Sequence, residues 1–172
     1  MILSESTSPY PPPRAAHGQP GVPDLPYAHW GYRLASFIVD SLINGIPATI
    51  GSAIINASIT TTVVGDRVET SGPSTIATVT FLVLTALSVA IFVWNTCLRQ
   101  GRTGQSVGKQ LAGTKLISAR TGQPIGGGMA FVRYICHIVD ALPCYIGYLW
   151  PIWDRKRQTF ADKIVGTYVI RV

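Results

Sequence analysis

Two phrases of this chain carry charge into apolar surroundings at the same spacing. Arg33 and Asp40 lie seven residues apart in RLASFIVD, and Arg133 and Asp140 repeat the interval one hundred residues later in RYICHIVD. On a helix such a pair shares one face, about 10 Å apart along the axis. A charge in hydrocarbon is costly, so it marks an ion path, a proton relay or a structural ion pair. Arg33, at the start of its segment, can reach lipid phosphate by snorkelling. Asp40 lies deeper and cannot bond Arg33 within one helix, where pairs form at spacings of three or four, so it needs a partner elsewhere. Ser36, Asn44 and Pro47 continue its polar stripe.

In the second phrase Arg133, His137 and Asp140 share a face. If both segments enter the bilayer from one side, Asp40 and Asp140 reach similar depths. Two carboxylates brought together in a low dielectric resist ionising together and can hold a proton or a cation. His137 would then serve as a relay. The competing structural reading crosses the charges, Asp40 with Arg133 and Asp140 with a basic residue of the C-terminal tail. Asp162 is expected at the membrane interface, paired with Arg155 or Lys109. The candidate cation, proton or ion-pair site is therefore Arg33, Asp40, Asn44, Arg133, His137, Asp140 and Asp162.

The elements that must hold these residues are membrane segments. Only 13% of the 172 residues are charged, 47% are hydrophobic and the mean hydropathy is +0.31, whereas a soluble domain is about 25% charged. The segments 34–57 and 75–98 each exceed the roughly 20 residues needed to cross hydrocarbon, and the second carries no charge. The expected class is an all-α integral membrane protein with two transmembrane helices, a third membrane element over 129–152 and short cytoplasmic amphipathic segments. Residues 1–26 are expected to be a disordered tail preceding a membrane domain over 27–172, since residues 1–32 hold seven of the twelve prolines. No cleavable signal peptide is read at the N-terminus, so the first helix would direct insertion.

Charge sets the expected orientation. The loop 58–74 has one basic residue, Arg67, against Asp66 and Glu69, whereas 99–128 holds five basic residues and no acid. By the positive-inside rule the second loop is cytoplasmic, and with it the N-terminal tail. The basic residues of 153–172 predict a cytoplasmic C-terminus too, which a simple third crossing would prevent. Pro143 divides 129–152 into limbs of about 21 and 13 Å, each too short for the core. A re-entrant hairpin resolves the conflict; the alternative is a plain third span with its tail outside.

A second repeat, at an offset of 53, aligns 102–117 with 155–170 at five identical positions of sixteen. Each copy reads as a short helical turn, a glycine stop and a β-prone run, TKLIS or TYVIRV, and the two runs could pair as strands.

Arg33 and Asp40, the TGQSVGK loop at 103–109, Arg133, Asp140 and the RQTFADK run at 157–163 together resemble the RDD family of small bacterial membrane proteins over about residues 27–172. The stretch from Thr121 to Ile164 behind a proline-rich tail is similar to the mycobacterial proline-rich antigen branch, although this tail is short and lacks long tandem proline repeats. The resemblance implies an inner-membrane protein, with transport suggested and cation/proton exchange reported for some members.

No nucleophile elbow, metal-binding spacing or phosphate loop is present, so neither catalysis nor a cofactor is expected. The net charge of +6 is spread beside the apolar segments and does not read as a nucleic-acid surface. The expected partners are the lipid bilayer, a small cation or proton, and a second copy or another membrane protein. A non-transporting adaptor that recruits partners to the bilayer is the competing class.

Overall fold

A helix with proline in its middle must find another home for the hydrogen bonds it loses, and α1 (Trp30–Ala57) contains Pro47. The computed structural model describes residues 25–172, so the predicted tail lies outside the described residues as far as residue 24. The chain divides into two units, one reaching Asp40 and resuming at Asn95, the other Ser41–Trp94.

In the Ser41–Trp94 unit, the amide of Ala48, next to Pro47, donates to Ser88 Oγ at 2.9 Å. Ser88 lies on α2 (Thr75–Phe92), and a hydroxyl from a neighbouring helix is one way a proline is tolerated in hydrocarbon. Gly51 lets the same helices approach, since an added Cβ would stand 3.2 Å from Phe81 Cα. Ser88→Ala should leave the Ala48 amide unpaired and cost about 1–3 kcal/mol, read as a lower unfolding temperature in detergent. Between the helices, β1 (Thr61–Val64) and β2 (Arg67–Thr70) pair antiparallel. Gly65, with φ 64°, takes the first position of their two-residue turn.

A π-helical turn, Val93–Arg99, carries the chain from α2 across the boundary at Asn95 into the other unit and α3 (Gln100–Thr103). There follow α4 (Val107–Leu111), β3 (Thr114–Ser118), α5 (Gly127–Ala141), α6 (Ile146–Leu149), a 3₁₀ turn at Trp150–Ile152, α7 (Phe160–Val165) and β4 (Thr167–Arg171). Each repeat thus runs short helix, glycine in the left-handed region, strand: Gly113 at φ 61° and Gly166 at φ 68° end α4 and α7. β3 and β4 pair antiparallel with Leu116 opposite Val169. These two residues are equivalent in the repeat, so the ladder is symmetric about their pairing. Ala28 packs with Leu116 and Val169, and Tyr27 bridges Ile170. Leu25 packs against the neighbouring cluster, and Pro26 accepts the Arg171 amide.

Among the described residues two helices are long and apolar enough to cross a membrane, Trp30–Ala57 with 28 residues and Thr75–Thr103 with 29. The third apolar element is broken: Gly127–Ala141 and Ile146–Ile152 meet at a bend of 109°. Pro143 lies in the break, and Cys144 and Tyr145 after it hold φ of 49° and 62°, a region that side chains avoid. The chain is mostly helical, as expected, but the all-α reading has to admit two strand pairs. TKLIS and TYVIRV pair as their β propensity suggested. The β1–β2 hairpin, outside the all-α expectation, forms because Gly65-Asp66 supplies a two-residue turn between the β-prone runs TTVV and RVET.

Candidate functional site: a buried charge network

Asp162 is the third residue of α7, and two arginines from different helices meet on it. Its Oδ2 accepts Arg33 Nη1 from α1 at 2.7 Å, and its Oδ1 accepts Arg133 Nε and Nη2 from α5 at 2.8 and 2.7 Å. Thr167 Oγ donates to Oδ1 at 3.0 Å and the Thr159 amide to Oδ2 at 3.2 Å. The Thr159 hydroxyl in turn accepts the Asp162 amide, closing a capping box at the start of α7. Burial alone would raise this carboxyl, but Arg133 and Arg33 outweigh it and hold it well below the usual carboxylate range.

The other two aspartates cap short helices from outside. Asp140 Oδ1 accepts the Phe160 and Ala161 amides at 2.8 and 3.3 Å, the first turn of α7. Asp40 Oδ1 accepts the Gly108 amide in the first turn of α4 at 2.8 Å, and Oδ2 accepts the hydroxyl of its N-cap Ser106 at 2.5 Å. A carboxylate at these amides meets both their unpaired N–H groups and the positive end of the helix. The two repeats therefore interlock: each R-x6-D helix caps the short helix of one 53-residue copy. Gln105 and Gln158, also equivalent, each donate to the carbonyl of the first strand residue, Thr114 and Thr167, at 2.9 Å.

His137 Nδ1 lies 2.6 Å from Asp140 Oδ2, and its ring stacks on Tyr148 at 5.3 Å. Tyr148 belongs to α6, beyond the break, and its hydroxyl donates to the His137 carbonyl at 3.2 Å. Its own carbonyl accepts Trp30 Nε1 at 3.0 Å. The bend thus folds α6 back onto the His137–Asp140 pair and the start of α1.

Six of the seven predicted site residues fall in this unit: Arg33, Asp40, Arg133, His137, Asp140 and Asp162. The pairings differ from those expected. Arg133 bonds Asp162 in place of Asp40. Asp140 takes His137 and two amides rather than a basic tail residue, and Asp162 takes Arg33 and Arg133 rather than Arg155 or Lys109. Asp40 and Asp140 share no donor, each being directed to its own helix start. Asn44 belongs to the Ser41–Trp94 unit, where its Oδ1 is buried without a hydrogen-bond partner among the described residues.

Asn95 and Ser106 were missed as site residues. Asn95 is fully buried; its amide donates to Asp40 Oδ1 at 2.8 Å and its carbonyl accepts the Val107 amide at 2.8 Å. An amide side chain in an otherwise charge-free span was the available signal, and it sits in the π-helical turn, a feature common at functional sites.

Lys109 is the remaining charge. Burial pushes its ammonium down to about 8, Arg133 and Arg33 add to the fall, and Asp40 and Asp162 oppose it. Because the folded value lies below the unfolded one, folding expels a proton between them. Stability should rise as pH goes from about 8 to about 10. Lys109→Met should flatten that rise, as unfolding temperature plotted against pH would register.

Among the described residues, two long apolar helices, a broken third apolar element and a charge network buried within one unit define a small helical protein of the membrane type. The chain belongs to the RDD family, whose family model matches residues 27–166. It is similar to the Proline-rich antigen of Mycobacterium leprae, at 36% identity over 163 residues, 89% of this chain and 66% of that protein. It is also 36% identical over 158 residues to the Proline-rich antigen homolog of Mycobacterium tuberculosis, covering 88% of this chain and 66% of the relative. The chain thus spans just under two thirds of the length of these relatives. No solved structure matches it.

Proposed function

We propose that the protein takes part in transport across the cell's inner membrane, handling a proton or small cation within its buried Arg/Asp network. The observation that carries this reading is the His137–Asp140 pair beside the 109° break. Broken helices at membrane depth are tolerated where they pack on protein or line a polar cavity, and they recur at transporter sites. Backbone held in a sparsely populated region beside a titratable pair supports the same reading. Asp140 also holds the first amides of α7, so a proton gained at the pair would loosen α7 and the Asp162 cluster on it. In this reading the third element re-enters from the cytoplasm, and the basic segments and the N-terminal tail are cytoplasmic.

The test is flux into proteoliposomes carrying an internal pH dye and challenged with Na⁺, K⁺ or Li⁺. Cation-dependent proton movement in the wild type, lost in folded His137→Gln, supports it. No movement above empty vesicles from folded protein contradicts it.

One observation favours a second reading, a non-transporting adaptor. The three aspartates are saturated by arginines, amides and hydroxyls, as a rigid scaffold would require. That reading predicts no flux and an assembly that depends on the same ion pairs.

A further inference from the structure

Position 109 is where the two halves of the charge network disagree. The 53-residue repeat makes Lys109 the counterpart of Asp162, just as Arg33 is the counterpart of Arg133. In the second half Arg133 spends both Nε and Nη2 on Oδ1 of the Asp162 carboxylate. In the first half the residue in the carboxylate's place is a lysine. Arg33 Nη1 crosses to Asp162, while its Nε and Nη2 are buried with no acceptor among the described residues. The Lys109 ammonium makes no ion pair with a described residue either.

A buried guanidinium edge without an acceptor forfeits the desolvation of its N–H groups, more costly for a charged group than for a neutral one. Asp162 serves both arginines, and Lys109, whose ammonium feels the charge of Arg33 and Arg133, lies on the side of the network where no carboxylate meets the free edge of Arg33. The two unpaired donors of Arg33 ask for an acceptor where the repeat places a carboxylate.

We infer that Arg33 Nε and Nη2 together with Lys109 bind a phosphate oxyanion, which takes the place that the Asp162 carboxylate holds in the other half. The fork of an arginine matches two oxygens of such a group, and a lysine adds a point charge on a flexible stem. Lys109, half-buried, is the side chain that can swing to admit it. Arg33 is three residues into α1, beside Trp30 and Tyr32, aromatics that settle at the headgroup level. The phosphate can therefore come from a lipid headgroup or from solution.

The test is thermal unfolding of the full chain in two arms. One titrates inorganic phosphate against chloride at constant ionic strength in a neutral detergent; the other compares phosphatidylcholine nanodiscs with and without phosphatidic acid. At a hundredfold excess over Kd the unfolding temperature should rise by roughly 5 °C or more. A response confined to the nanodiscs makes the ligand a headgroup, and a response in detergent makes it a soluble phosphate. Lys109→Asp, which supplies the missing carboxylate, should match the phosphate-bound wild type without phosphate and respond to neither arm. Arg33→Lys keeps a bond to Asp162 but loses the fork, and should lose the response while remaining folded. No rise for the wild type in either arm, or an undiminished rise in Lys109→Asp or Arg33→Lys, overturns the inference.

Discussion

Asp162→Ala should be the most damaging single substitution in the charge network, costing about 3–5 kcal/mol. The carboxylate is fully buried and accepts from both Arg33 and Arg133. Its removal leaves two guanidinium groups without their anion and opens the capping box of α7. The loss should appear as a collapse of the folded fraction in detergent, monitored by size exclusion and thermal unfolding. Acid should act in the same direction. The folded carboxyl lies below its unfolded value, so its contribution is complete at neutral pH and drains away as pH falls below about 4. Asp162→Asn should show little of that acid dependence.

Asp40→Ala should follow at about 3 kcal/mol or more, since it strands the Gly108 amide, the Ser106 hydroxyl and the Asn95 amide at about 1–3 kcal/mol for each buried donor. Gly108→Ala should point the same way from the other partner. A Cβ there would run into the Ser36 carbonyl and the Asp40 carboxylate, and overpacking of this kind costs about 1–3 kcal/mol. Ser106→Ala, which removes one of the three bonds, should cost about 1 kcal/mol. The order Asp40→Ala, Gly108→Ala, Ser106→Ala in falling severity, measured as unfolding temperatures, is the signature of a carboxylate holding a helix start. An exposed or solvent-filled Asp40 would give three small effects.

Much of this arrangement was legible in the residues. The seven-residue Arg–Asp interval placed both charges on one helical face, and those faces do point into the network. Pro143 broke the third apolar segment where the sequence put it. The 53-residue repeat yielded two equivalent helix–glycine–strand units, because Gly113 and Gly166 need the left-handed region to end their helices. What stayed hidden was the partner of each aspartate. Asp140 holds two backbone amides and Asp40 one, besides the Asn95 and Ser106 side chains; such amides leave no mark in residue type, and they belong to helices of six and five residues that are too short to show a period. Charge complementarity therefore suggested crossed ion pairs, whereas the fold spends two carboxylates on helix starts and gathers both arginines on the third. The break in symmetry at Lys109 was visible only after the repeat had been given a geometry.

The central claim is that Arg33, Arg133 and Asp162 form one buried, mutually dependent ion cluster joining the two repeats. The most direct measurement compares the unfolding temperature of Asp162→Leu with that of the triple variant Arg33→Met, Arg133→Met, Asp162→Leu in the same detergent. Removing one partner of a buried ion cluster is strongly destabilising, whereas replacing the whole cluster by apolar side chains is often nearly neutral. The triple variant should recover most of the stability that the single variant loses. A triple variant no better than the single one, or a single variant that loses nothing, would contradict the account.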